Sequence, residues 1–160
     1  MNCEIFMDEL DAIDKRLLGC LQKDGRISNQ ELAQAVHLSP AQSHRRHKRL
    51  EEQGYVKGYE ARLDAGKLGL GVLAYVHVTM ERGHMREVLK FRDTLMALEQ
   101  VQECYAVTGD FDYMLKVVAR DLKHLSDFLL GTVALLPGVN GVRSSVCLDE
   151  IKSTTVLPLG

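Results

Sequence analysis

The chain has 160 residues, 46% of them hydrophobic and 26% charged, with a formal net charge of −2. That is enough for one good core or two small ones in an ordinary globular protein. It excludes a bulk polycation that coats nucleic acid, and no apolar run reaches the roughly 18 residues a membrane span needs. The first residues are acidic and lack a basic-then-apolar pattern, so no secretory leader is expected and a cytoplasmic location is. Cys3, Cys20, Cys104 and Cys147 are far apart and form no C-x-x-C pair. They read as reduced structural thiols, and no metal site is expected.

Residues 8–22 carry Leu10, Ile13, Leu17, Cys20 and Leu21 at three- and four-residue spacing, the pattern of an amphipathic helix. Lys23, Asp24 and Gly25 end it, with Gly25 placed for a left-handed C-cap. Ser28 and Glu31 then form a capping box that opens a second helix, with Leu32, Ala33 and Val36 inward. Ser39, Pro40 and Gln42 give a second capping box with proline at the first helical position. Two short capped helices joined by a tight turn, behind a third that covers them, make a tri-helical helix-turn-helix unit.

Four of residues 45–49 are Lys or Arg, the only dense basic cluster in the chain. A solvated face paired with Glu51 and Glu52 is the plain alternative to nucleic-acid binding. The capped helix before it favours DNA. On the helix that starts at Pro40, Leu50 marks the inward stripe together with Ser43 and His47. Ala41, Arg45, Lys48 and Glu52 point outward, with Gln42 and Arg49 on one flank and His44 on the other. Gln42, Arg45 and Arg49 are therefore expected to reach bases, and Arg46 and Lys48 to hold phosphates. Arg46 lies nearer the core edge, where Glu31 is a second possible partner. Ser28, Ser39 and the N–H groups at their helix starts can add phosphate contacts. Gly54 ends the helix, and residues 55–63 alternate as a small ribbon or wing.

Residues 64–71 hold three glycines and read as a hinge. The expected division is a DNA-binding domain over 1–64, a linker over 65–71 and a second domain over 72–160. That second half alternates strand and helix rhythms: a strand over 70–80, a helix over 85–98, a strand over 101–108, a turn at 109–112, a strand over 113–119, a helix over 121–136 and a strand over 139–148. The second helix is expected to turn Leu122, Leu125, Leu129, Val133 and Leu136 inward. The order βαββαβ is the ferredoxin-like arrangement, one antiparallel sheet with two helices on one face. The fold class is thus α+β. The uncovered sheet face is expected to expose a sizeable apolar area in a monomer, and so to dimerise.

In order and spacing, these motifs resemble the Lrp/AsnC family of leucine-responsive, or feast/famine, transcriptional regulators. They are Leu10-Asp11-x-x-Asp14, Asp24 to Asn29, Leu38-Ser39-Pro40, Arg49-Leu50-Glu51-x-x-Gly54, Gly58-Tyr59, Gly109-Asp110-x-Asp112-Tyr113 and Pro137-Gly138-Val139. The resemblance spans about Leu10 to Leu159. It implies a helix-turn-helix, a linker strand and a βαββαβ sensing domain. It also implies dimers that assemble to octamers and an amino-acid effector bound between dimers, with no other cofactor.

From the residues alone, Gly109-Asp110-Phe111-Asp112 is an ordinary hairpin turn. The resemblance makes it an effector site, in which loop N–H groups hold a carboxylate and Asp110 or Asp112 meets the ammonium. It also places Ala106, Tyr113, Leu122, Ser145, Val146 and Cys147 around the pocket. Position 47 is usually apolar in the family. His47 is therefore either a hydrogen-bonded inward histidine or a residue turned toward DNA. The expected function is a DNA-binding regulator modulated by an amino acid, not an enzyme, with no catalytic residues. The competing readings are a sirohaem decarboxylase-like enzyme using His44, His47, His77 and His124, and an amino-acid-binding module that no longer binds DNA.

Overall fold

The computed structural model describes residues 10–81 and 85–160. They fall into two compact units, one from residues up to Arg62 together with Lys152–Gly160, the other from Leu63–Ile151.

In the first unit, α1 (Ala12–Lys23) begins at Asp11, whose carboxylate accepts from the N–H groups of Ile13 and Asp14 at 2.9 and 2.8 Å. The expected start near residue 8 lies outside the described residues. Both capping boxes form, at α2 (Asn29–Ala35) and α3 (Pro40–Glu52). Between them His37 takes φ +59°, a left-handed conformation uncommon for a side-chain-bearing residue, and so turns the chain within a few residues. Leu17, Leu18, Leu21, Leu32, Val36 and Leu50 make the core. Gly54 is left-handed at φ +76°, as a residue just past a helix end prefers.

Gly25 is not left-handed, contrary to expectation: α1 ends on an extended Asp24. The glycine is needed for space instead, because a Cβ there would lie 2.9 Å from Cδ1 of Tyr59. Residues 55–63 have no ladder partner among the described residues. The expected ribbon therefore forms no hydrogen-bonded strand pair there. The tail, expected with the second half, packs in the first unit. Gln22 of α1 accepts from Leu157 N–H at 2.6 Å and donates to its carbonyl at 3.2 Å, and Leu159 packs against the core. A nine-residue irregular tail carries no periodicity from which that placement can be read.

The second unit holds β1 (Val72–Met80), α4 (Met85–Leu95), β2 (Val101–Ala106), β3 (Tyr113–Ala119), α5 (Leu122–Gly131), a 3-10 turn (Val133–Leu135) and β4 (Val139–Val146). The strand order is β2-β3-β1-β4, antiparallel throughout. One face, carrying Ala74, Val76, Val78, Leu115, Val117 and Ala119, packs with Phe91, Leu95, Leu125 and Phe128 of the helices. One expectation fails here. Leu122 is 62% exposed, because it is the first residue of α5, directly after its cap Asp121, and Phe128 fills the inward place one turn beyond Leu125. The face opposite the helices carries Leu73, Tyr75, Tyr105, Met114 and Val118, partly exposed, together with polar groups. Lys116 donates to Glu103 at 2.8 Å, Tyr105 donates to Glu103 at 2.7 Å, and Arg143 lies over Phe111, which stacks on His77.

Candidate nucleic-acid interface and effector site

Helix α3 is set on the first unit by few apolar contacts. Ser43 and Leu50 are fully buried, and His47 stands between them on the same stripe, one-fifth exposed. His47 Nε2 lies 2.6 Å from the Tyr59 hydroxyl and 3.3 Å from Glu51 Oε1. It is thus a hydrogen-bonded residue at the edge of the unit and is not turned into the outward face.

The cations of α3 divide into two sets. Arg46 Nη1 donates to Asp11 Oδ2 at 2.6 Å and to Asp14 Oδ1 at 2.8 Å, and Arg49 Nη2 donates to Asp14 Oδ2 at 2.6 Å. The partner of Arg46 is therefore α1 and not Glu31, which is taken up by the Ser28 cap. These bonds raise the Arg46 pKa further. The Asp14 N–H, and then Arg46, hold the Asp11 carboxyl below its usual range. Arg45 and His44 are exposed and have no partner among the described residues, while Lys48 meets Glu52 at 3.6 Å. Arg45, Arg46, Lys48, Arg49 and Glu52 line an open cleft of about 390 Å³.

The capping residues have commitments of their own. Gln42 Oε1 accepts from the N–H and hydroxyl of Ser39 at 3.2 and 2.9 Å, so only its Nε2 is free to donate. A two-point contact to adenine needs both ends of the amide and would require the cap to open. Asn29 Nδ2 donates to the Pro40 carbonyl at 3.0 Å and ties the start of α2 to the start of α3. That contact, the buried Asp14 and the role of Tyr59 were missed at the sequence level. Asp14 does give a signal, since it sits on the apolar stripe of α1 one turn before Leu17 and Leu18.

In the second unit the expected effector residues form two groups. At one end of β1, Ala106 pairs with Tyr113, Val107 N–H donates to the Asp112 carbonyl, and Gly109 turns the hairpin at φ +111°. Asp110 is exposed. The Asp112 carboxylate accepts from Met80 N–H at 2.7 Å, beside the irregularity in the β1–β4 pairing at Thr79 and Met80. At the other end, Ser145 and Val146 pair with Tyr75 and Ala74, and Cys147 N–H donates to the Leu73 carbonyl. Leu122 follows the end of β3, where Ala119 pairs with Val72. The strand from Ala74 to Val78 separates the groups by roughly 13 Å, too far for one amino acid to touch both within one chain.

Of the histidines considered for a tetrapyrrole, His47 is bonded to Tyr59, and His124 Nδ1 accepts from Arg120 N–H at 3.2 Å. His77 stacks on Phe111. Among the described residues no group of three His, Cys, Asp or Glu side chains is placed to hold a metal, and no helix is long and apolar enough to cross a membrane.

A capped helix-turn-helix with a cationic second helix, followed by a small ferredoxin-like domain, defines a DNA-binding regulator with a sensing domain. Comparison with known proteins agrees. Residues 10–57 match the family model for winged helix-turn-helix DNA-binding domains, and residues 73–157 that for the Lrp/AsnC ligand binding domain. The leucine-responsive regulatory proteins of Klebsiella pneumoniae and Escherichia coli are each 42% identical over 149 residues, covering 93% of this chain and 91% of theirs. A transcriptional regulator of Neisseria meningitidis solved as a complex with L-Met superposes at a TM-score of 0.91, with 37% identity over 94% of this chain and 97% of that one. An AsnC family regulator of Agrobacterium tumefaciens gives 0.88, with 30% identity over 93% of this chain and 97% of that one. The chain belongs to the Lrp/AsnC family of DNA-binding transcriptional regulators, whose second domain binds an amino-acid effector.

Proposed function

We propose that α3 reads operator DNA and that an amino acid bound at the sensing domain changes how the assembled protein sits on it. The observation that carries the DNA part is the four-cation cleft on a capped, outward-facing helix. Arg45 is the base-reading residue with the fewest competing contacts, assisted by the Gln42 amide nitrogen. Lys48 holds phosphate. Arg46 and Arg49 reach the DNA from their places beside Asp14, Arg49 toward bases and Arg46 toward phosphate. The helix starts at Ser28 and Ser39 add backbone N–H groups to the phosphate contacts.

The effector is a free amino acid with an uncharged side chain. Its ammonium is met at Asp110 and Asp112, and its carboxylate by the N–H groups after Gly109. Ala106, Tyr113, Leu122, Ser145, Val146 and Cys147 complete the lining. Because these residues stand at two ends of one sheet, a complete pocket needs a second copy of the chain. This supports a homodimer that assembles further, to an octamer. The protein acts by binding and not by catalysis, in the cytoplasm. The L-Met in the Neisseria meningitidis relative supports the class of effector without naming this chain's own.

The DNA reading is tested by a salt titration. Lys48→Ala weakens binding at every sequence and flattens the slope of log affinity against log salt by about one unit. An unchanged slope removes Lys48 from the phosphate set.

A further inference from the structure

The roll of α3 about its own axis decides which side chains face a DNA groove, yet apolar packing fixes that roll weakly. Leu50 is its one large buried anchor. Ser43 is buried too, but its hydroxyl has no partner. The second constraint on this side comes from the chain beyond the helix. The Tyr59 hydroxyl donates to Glu51 Oε1 at 3.0 Å. A carboxylate only accepts, and a hydroxyl has one proton, so the 2.6 Å contact with His47 Nε2 has the histidine as donor. His47 and Glu51 are one turn apart on α3, so Tyr59 grips the helix at two points.

The Tyr59 ring is itself placed. It stands edge-on to His47, with centroids 6.3 Å apart at 87°, and lies against Gly25 in the α1–α2 connection, where no Cβ fits. Tyr59 as a whole is half exposed, but partial burial of its hydroxyl, and then the bond to Glu51, push the pKa up to about 12; the hydroxyl is a donor through the physiological range. On the opposite flank, Arg46 and Arg49 are held to Asp14. The helix is clamped from both sides.

We infer that Tyr59, Glu51 and His47 are positioning residues for operator discrimination, forming a polar latch that fixes the roll of α3 and hence which of its side chains reach base edges. This rests on the proposal that α3 reads DNA. The latch adds the means by which a helix with a histidine on its inward stripe holds one orientation. Phosphate contacts tolerate a change of roll, because long flexible cations follow the backbone, whereas base contacts do not.

The test uses the full chain and a duplex that it enriches from a randomised pool, with an unselected duplex as the non-specific probe. A wild-type chain that enriches no sequence overturns the DNA reading itself, before any variant is made. Given enrichment, Tyr59→Phe keeps the ring against Gly25 and removes only the hydroxyl. It lowers the ratio of selected to non-specific affinity about tenfold, with non-specific affinity and salt slope unchanged. Glu51→Gln, which keeps a neutral acceptor, lowers the ratio about threefold and serves if the tyrosine variant folds poorly. A ratio unchanged in the folded variants, or selected and non-specific affinity falling together in step with melting temperature, overturns the latch as a positioning device.

Discussion

Arg49 Nη2 lies 2.6 Å from Asp14 Oδ2, and Asp14 is buried at 2% exposure while Arg49 remains almost half exposed. With Arg46 on the other oxygen, one buried carboxylate holds two cations of α3. The same arginines therefore have an internal partner and a candidate external one, DNA.

Opposite effects on stability and DNA binding follow for Asp14→Ala. Losing the shared carboxylate destabilises the first unit by about 1–3 kcal/mol, less than for a fully buried pair because both arginines can turn to water. Freed arginines then strengthen non-specific DNA binding and steepen its salt slope by about one to two units. Urea unfolding and a salt titration check both halves. A variant that loses stability and DNA affinity together shows that Asp14 only holds α3 in place.

Acid should act on the same junction. The Asp14 N–H and Arg46 hold the Asp11 carboxyl below its usual pKa, and the Ser28 hydroxyl and N–H do the same for Glu31. A carboxylate whose pKa is depressed in the folded state contributes stability that is fully present above about pH 4 and is lost as pH falls through the folded value. Asp11→Asn should therefore flatten the acid limb of a stability-against-pH profile while leaving a lower plateau near neutrality. An unchanged acid limb contradicts the pairing.

The turn at His37 stores backbone strain. At φ +59° a side chain is disfavoured, so His37→Gly raises stability by about 0.5–1 kcal/mol despite the added freedom of the unfolded chain. Thermal unfolding reads this as a rise of a few degrees. A fall means that the imidazole makes a contact of value beyond the described geometry.

Asp112 has a structural duty that complicates its proposed role at the effector. Its carboxylate accepts from Met80 N–H at 2.7 Å. Asp112→Asn keeps an acceptor for that bond and removes the charge, whereas Asp112→Ala removes both. Loss of the amino-acid response in both variants, with the fold intact in the asparagine variant, assigns the charge to the ammonium. A response lost only in the alanine variant assigns Asp112 to the strand junction alone.

Much of this could be read from the chain. Capping boxes are local, so Ser28 with Glu31 and Ser39 with Gln42 announced both helix starts. The period-two run through Ala74, Val76 and Val78 announced a buried strand face. What could not be read depends on partners distant in sequence. Nothing near Arg46 shows that Asp14, 32 residues earlier, will hold it. Nothing near Gly25 shows that Tyr59 will need its space. Leu122 looked inward because it fits a helical stripe, but a stripe does not say which residue begins the helix. The effector residues were assigned by resemblance, and their division between two ends of a sheet is a property of strand pairing that spacing does not reveal.

The protein binds DNA, and an amino acid at the sensing domain is proposed to alter that binding. The most direct measurement is affinity for the DNA upstream of the chain's own coding sequence, at fixed salt, with and without a panel of amino acids. Specific binding is expected, with an affinity or stoichiometry that shifts with one or a few amino acids bearing uncharged side chains, and a shift that is lost in Asp112→Asn. Binding no tighter than to unselected DNA, or specific binding indifferent to every amino acid in the panel, would contradict it.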